Sequence, residues 1–229
     1  MTKVADIENK EVEPSSFKLI FALAIAGLLS GIILVATYLY TDPLIIANRE
    51  KAIQRAIFQV LPDCSNYETL IFKDGKLIKK EEGSQQQDKD SPLIYAGYGD
   101  ENEFVGFAIP GSEPGFQDLI SAIYGYDVNS EIIMGFEVLE SKETPGLGDK
   151  IFKDADFQTN FNQLSVKPQI VTVKKGEKTK ENQVEAITGA TISSKAVVKL
   201  LNNSVEFWDR AIEEYLVDNN LKNTLGSND

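Results

Sequence analysis

Hydropathy along the chain changes character near position 41. From Leu19 to Tyr40 (LIFALAIAGLLSGIILVATYLY) an apolar run of 22 residues passes without a charge, and a helix needs about 20 such residues to cross the hydrocarbon core of a bilayer. Lys18 marks one edge, and Tyr38 and Tyr40 sit where interfacial aromatic side chains gather. The run exceeds the roughly 7–15 apolar residues of a secretory signal, and Val35 to Tyr38 makes a poor cleavage site, so the segment reads as an uncleaved anchor. Ala22, Ala26 and Ser30, with Gly27 and Gly31, give it small residues against which another membrane helix can pack. Lys3, Lys10 and Lys18 precede the span and Arg49, Lys51 and Arg55 follow it, so the positive-inside count is a tie.

Beyond the span the periodicity alternates between helix and strand. Ile46, Ile53, Ile57 and Val60 form one helical face that Pro62 stops. Asp74-Gly75 divides two alternating runs in LIFKDGKLIKK, a hairpin signal. Lys79 to Ser91 is polar throughout and reads as a surface loop. Four strand-like runs follow (PLIYAGYG, EFVGFAIP, LISAIYGYD and IIMGFEVLE), then a short helix around Phe157 to Phe161 and a last strand, PQIVTVKK. From Thr191 onward, Val197, Leu201, Val205, Trp208, Ile212 and Leu216 keep the spacing of a long helix that buries one face on a sheet. The expected plan is a tail (1–18), a transmembrane helix (19–40), a connecting helix (41–62), one α+β domain (63–216) and a frayed tail (217–229).

Composition narrows the chemistry. A formal net charge of −12 argues against nucleic acid as a partner, because phosphate contacts need clustered Lys and Arg. One cysteine, Cys64, supplies neither an internal disulfide nor a zinc or iron–sulfur set, so no metal site is expected. With no histidine there is no Ser-His-Asp or Cys-His arrangement and no imidazole acid or base. No catalytic residue is assigned, and any chemistry is expected to belong to a cofactor.

Two stretches could hold one. In EAITGATISSKAVV, Thr188 suits an N-cap for the long helix, whereas the β-branched Thr191 has no capping role inside the first turn. The same geometry suits a phosphate. A helix N-terminus offers free N–H groups and a positive dipole end, Gly189 permits close backbone approach, Ala190 adds little bulk, and Lys195 brings charge one turn on. In ESKETPGLGDKI, Pro145, Gly146 and Gly148 make a tight loop after a strand, with Leu147 between the glycines. It is either an ordinary turn or a wall against a planar ligand.

Taken together, Glu185 to Thr191 resembles the flavinylation motif Asp-x-x-Ser/Thr-Gly-Ala-Thr of the FMN-binding domain family, and ETPGLGDKI resembles that family's other signature. The single N-terminal span makes the chain most similar to the G-type subunits of Rnf electron-transport complexes, with the C-type subunits of sodium-translocating NADH:quinone reductases as near relatives. The acidic position is Glu185 rather than Asp, and Ser141 stands where the family often has His. The resemblance implies FMN joined by a phosphodiester to Thr191, placed there by a transient flavinyltransferase. It also implies that Glu143, Thr144, Gly146 and Leu147 line the flavin, with Thr188 and Gly189 near the phosphate. It further implies a single-pass protein of the cytoplasmic (inner) membrane with its C-terminal domain outside the cytoplasm. The chain would contact membrane lipid and the other membrane and redox subunits, relaying electrons between ferredoxin and NAD with ion pumping and without an activity of its own. The alternatives are the quinone-reductase counterpart, from another class a non-redox membrane-tethered interaction domain without flavin, and thirdly a free-standing reductase with its own substrate.

Overall fold

The structure, a computed structural model, describes residues 15–80 and 91–221, so the polar tract and the outermost parts of both tails lie outside the described residues. The chain divides into two units, Met1–Glu50 and Lys51–Asp229.

Helix α1, Ser16–Val60, begins in the first unit and ends in the second. Its apolar stretch, with a mean hydropathy of 2.8, is long and apolar enough to cross a membrane. There the Thr37 and Thr41 hydroxyls donate to the carbonyls of Ile33 (2.8 Å) and Thr37 (2.9 Å), so neither adds an unsatisfied polar group to the span. The expected span and connecting helix form one helix of 45 residues with Pro43 inside it. A proline there removes one N–H donor, while both flanks keep helical periodicity.

The second unit is built on a seven-stranded antiparallel sheet in the order β2-β1-β3-β4-β5-β6-β7. The strands are β1 Asn66–Lys73, β2 Lys76–Lys79, β3 Leu93–Tyr98, β4 Phe104–Pro114, β5 Leu119–Asp127, β6 Ile132–Glu140 and β7 Leu164–Ser165. The β1–β2 turn has Asp74 at φ 53° and Gly75 at φ 84°, the left-handed pair that a two-residue hairpin requires. Strand β4 continues past the expected end at Pro110. From Ile109 onward its recorded pairing is with β5, and an unpaired flank tolerates proline's missing N–H.

Each face of the sheet buries a different helix. Phe107 and Ile109 on β4 and Ile120, Ala122 and Tyr124 on β5 pack under α4 (Thr191–Asp218) with Val197, Leu201, Trp208, Ile212 and Leu216, the expected stripe. Polar ties fix this helix. The Lys199 ammonium and the Asn203 amide (3.1 Å) both bind the Glu113 carboxylate of β4, and Asn202 bonds both the N–H and the C=O of Ile170. The short helices α2 (Lys150–Lys153) and α3 (Ala155–Thr159) bring Ile151, Phe157 and the nearby Phe161 to the same core. A separate parallel pair, β8 (Val171–Val173) and β9 (Gln183–Glu185), leads into α4.

On the other face, Ala56, Ile57, Val60 and Leu61 pack against Ala108 and Ile123. The end of α1 sits in a notch made by Gly125 and Gly135, which pair across β5 and β6. A Cβ on Gly125 would lie 1.9 Å from the Val60 carbonyl oxygen, and one on Gly135 would lie 2.9 Å from the Val60 Cα. Both obstacles are backbone, which cannot rotate away. Gly125→Ala is therefore expected to destabilise the domain by about 1–3 kcal/mol, the usual cost of overpacking. Thermal unfolding of the detergent-solubilised chain measures this, and an unchanged melting curve would contradict the seating of α1 on the sheet.

Candidate functional site

The loop after β6 and the turn before α4 meet beside the β4–β5 turn. Phe116, Glu143, Thr144, Leu147, Gly148 and Gly189 to Ser193 line a cleft of about 340 Å³ between them. That volume falls at the small end of the range for ligand sites.

Glu143 organises one wall. One carboxylate oxygen accepts from the N–H groups of Phe116 and Gln117, both at 2.9 Å, and the other accepts from the Ser193 hydroxyl. Its own N–H donates to Ser141 Oγ at 3.3 Å, which gives the serine a local structural role. Glu143 is only 5% exposed. Burial pushes its pKa up, but donation from Ser193 and from the Gln117 and Phe116 amides, helped by the nearby Asp118 amide, outweighs burial and leaves it below the usual carboxylate range. Glycines on both sides admit it. A Cβ on Gly115 would come within 2.5 Å of one Glu143 oxygen, and a Cβ on Gly148 within 2.5 Å of the other.

The ETPGLG loop closes on itself. Leu147 N–H donates to the Thr144 carbonyl at 3.1 Å, and Gly146 N–H donates to Asp149 Oδ1 at 2.7 Å. Gly146 takes φ +80°, a left-handed conformation that a side chain disfavours. The Lys153 ammonium, 2.7 Å from Asp149, holds that carboxyl below its ordinary value; burial opposes this and the Gly146 amide reinforces it. Thr144 Oγ1 donates to the Gln117 side chain at 3.2 Å, a second tie to the β4–β5 turn.

Helix α4 starts at Thr191, with Ala190 in the cap position at φ −129°. Thr188 is therefore not the N-cap expected from the sequence. The reason is a turn over Ile187 to Ala190, closed by Ala190 N–H to Ile187 C=O at 3.0 Å, with Gly189 at φ +87° in its third position. That turn lifts Thr188 out of capping register. Ser194 stabilises the helix start from inside. Its buried hydroxyl accepts from Ile187 N–H and donates to the Ala190 carbonyl, each at 3.0 Å. Thr191 is left exposed at the first helical position, where the amides of a first turn lack intrahelical partners.

The cleft thus brings together Glu143, Thr144, Leu147, Gly189, Ala190 and Thr191 among the residues singled out in the sequence. Three others do not line it. Gly146 shapes the loop from outside, Lys195 is exposed one turn along α4, and Thr188 lines a neighbouring cleft of about 240 Å³ with Lys150, Lys175 and Glu185. Glu185 accepts from the Gly176 (2.9 Å) and Lys178 (3.4 Å) amides, so the acidic position of the motif secures the turn leading into β9. Phe116, Gly148, Ile192 and Ser193 were not among the expected site residues. Gly148 lay inside the quoted motif, and the adjacent serines 193 and 194 carried a faint signal as small polar residues on a helix's buried face. Phe116 carried none, because only the β4–β5 turn places it there.

The FMN-binding domain family matches residues 115–206, which contain every residue of this cleft. The G subunit of the ion-translocating oxidoreductase complex of Methanosarcina acetivorans is 28% identical over 202 residues, covering 87% of this chain and 96% of that one. The protein of the same name from Vibrio vulnificus is 31% identical over 199 residues, 86% of this chain and 89% of its own. Among solved structures, Shewanella oneidensis NqrC shares the fold with a TM-score of 0.57 at 16% identity, covering 77% of this chain and 99% of that one. The chain belongs to the family of G subunits of ion-translocating oxidoreductase complexes and carries an FMN-binding domain over residues 115–206.

Proposed function

We propose that this chain is the membrane-anchored flavin carrier of an Rnf-type ferredoxin:NAD oxidoreductase complex, with FMN attached to Thr191. The observation that carries this reading is the meeting, in one cleft, of an exposed threonine at a helix N-terminus and the ETPGLG loop with Leu147 at its tip. When bound, FMN supplies the redox chemistry by accepting and releasing electrons.

The residues present suit that group. Leu147, Ile192 and Phe116, each about half exposed or more, offer apolar surface for a planar ring. Leu147 lies over Gly189, where a Cβ would stand 3.4 Å from its Cδ2, so the two loops form one continuous wall. The first-turn amides of α4 suit a phosphate attached to Thr191, a contribution of about 0.3–1 kcal/mol. That is too little to retain a carrier, and a covalent bond supplies the retention. For attachment, the Thr191 oxygen bonds to the FMN phosphorus of FAD, the anhydride bond breaks, AMP leaves and the hydroxyl proton passes to solvent. A separate flavinyltransferase catalyses this step. Residues 19–40 of α1 span the cytoplasmic membrane in contact with lipid and neighbouring subunits, and the domain over 63–216 lies on the extracytoplasmic side.

Intact mass of the denatured chain from its native membrane, with peptide mapping, is expected to show one FMN on the peptide containing Thr191. Thr191→Ala is expected to lose the adduct while its melting temperature stays near that of the wild type, because an exposed first-turn side chain is removed; an adduct persisting in that variant would refute the assignment. Glu143→Ala strands three donors, and a hydrogen bond to a charged group is worth roughly 1.5–3 kcal/mol. A loss of at least about 2 kcal/mol is expected at neutral pH. Because the folded pKa of Glu143 is lowered, its contribution is present above the unfolded value and disappears as pH falls through the folded one. Melting curves of wild type and variant should therefore converge on acidification below the usual carboxylate range, and a gap that stays constant into acid would contradict this.

A further inference from the structure

Of the residues lining the cleft, Glu143 alone carries a charge. It is buried, and its donors are neutral: two amides and a hydroxyl. Among the described residues no lysine or arginine forms an ion pair with it. Of the nearby cations, Lys142 is paired with Asp118 at 3.3 Å and Lys153 with Asp149 at 2.7 Å, while Lys195 is exposed on α4. The cleft therefore contains a negative charge that hydrogen bonds stabilise in place but do not cancel.

Burial sharpens the consequence. Glu143 is only 5% exposed, and a charge set back from water is screened less than one at the surface. Each electron added to a flavin ring without a matching proton adds one negative charge to it. A fixed carboxylate in the wall opposes that charge. The positive end of α4 acts in the opposite sense, but it lies at Thr191, where the phosphate rather than the ring is expected.

We infer that Glu143 is a potential-setting residue, whose carboxylate lowers the reduction potential of the flavin held in this cleft. The inference rests on the reading that FMN is attached to Thr191. It assigns Glu143 an electrostatic role separate from its structural one, and the two can be distinguished. Glutamine keeps the shape: its carbonyl oxygen accepts from the Phe116 and Gln117 amides, and its amide nitrogen donates to Ser193 Oγ. Only the charge goes. Ser193→Ala does the reverse, removing one donor and leaving the charge.

The test is a reductive titration of the full-length, detergent-solubilised, flavin-loaded chain with dithionite and redox dyes, after peptide mapping has located the FMN. Glu143→Gln is expected to raise the midpoint potential relative to wild type, and Ser193→Ala to leave it unchanged or lower it. Glu143→Met, neutral and of similar length, is expected to raise it as well and serves if the glutamine variant is not recovered. A neutral variant with the wild-type potential overturns the inference. So does a rise in Ser193→Ala as large as that in Glu143→Gln, which would make loop geometry the cause. Wild-type chain without FMN on Thr191 overturns the attachment reading and the inference together, whereas FMN on Thr191 with an unmoved potential overturns the inference alone.

Discussion

Burying the Glu143 carboxylate without a cation is possible only if neutral donors surround it, and that need fixes where three distant segments can lie. Its acceptors are filled from the β4–β5 turn at Phe116 and Gln117 and from the first turn of α4 at Ser193. An unsolvated charge costs far more than one hydrogen bond returns, so the donors must converge together or the loop must open. Gly115 and Gly148 are part of the same constraint, because a methyl group at either position would occupy the place of a carboxylate oxygen. The cleft is the space left over once these segments have met around one side chain.

The position of Thr191 depends on that meeting and on the framework behind it. Helix α4 is buried along its length on the sheet and is fixed along its axis by Glu113 and by the Asn202 bonds to Ile170. Its first residue therefore falls at a defined place, and the Ser194 hydroxyl secures the incoming turn to it. The acidic residue of the motif works at the other end of that approach, where Glu185 gathers the amides of the preceding turn. Glutamate has the reach to do this while its own N–H bonds Asn160 at 3.1 Å. The motif is thus read most economically as a device for presenting one hydroxyl.

Elements with a strong repeating pattern were legible in the sequence. Strands β5 and β6 coincide with LISAIYGYD and IIMGFEVLE, and α4 buries the expected stripe, because alternation and 3–4 spacing directly record which face is covered. The short strands β7 and β9 escaped because two or three residues carry no period. The span and the connecting helix run on as one helix through Pro43, because a proline costs a single donor, which a helix with good sequence on both sides absorbs. At the site, Glu143, Thr144, Leu147, Gly189, Ala190 and Thr191, named from the two motifs, line one cleft, while Gly146 and Thr188 of the same motifs do not. Phe116 and Ser193 were not legible, since their roles arise from contacts 27 and 50 residues away in sequence that only the fold creates.

The openness of the cleft bears on why a carrier of this kind would use a covalent bond. Phe116 at 66% exposure, Ile192 at 56% and Leu147 at 48% leave much of the apolar wall facing outward, so a ring seated there is covered on one side at most. A non-covalent site achieves affinity by enclosure, typically burying roughly 70–90% of a ligand, and enclosure would separate a redox ring from the partners with which it exchanges electrons. Attachment through the phosphate end removes that conflict. On the proposed reading, retention comes from a bond at Thr191, orientation from Leu147 and Gly189, and the local field from Glu143, so no single contact has to serve two opposing ends. On the proposed reading, a weakly enclosing cleft is the form that a tethered electron carrier requires.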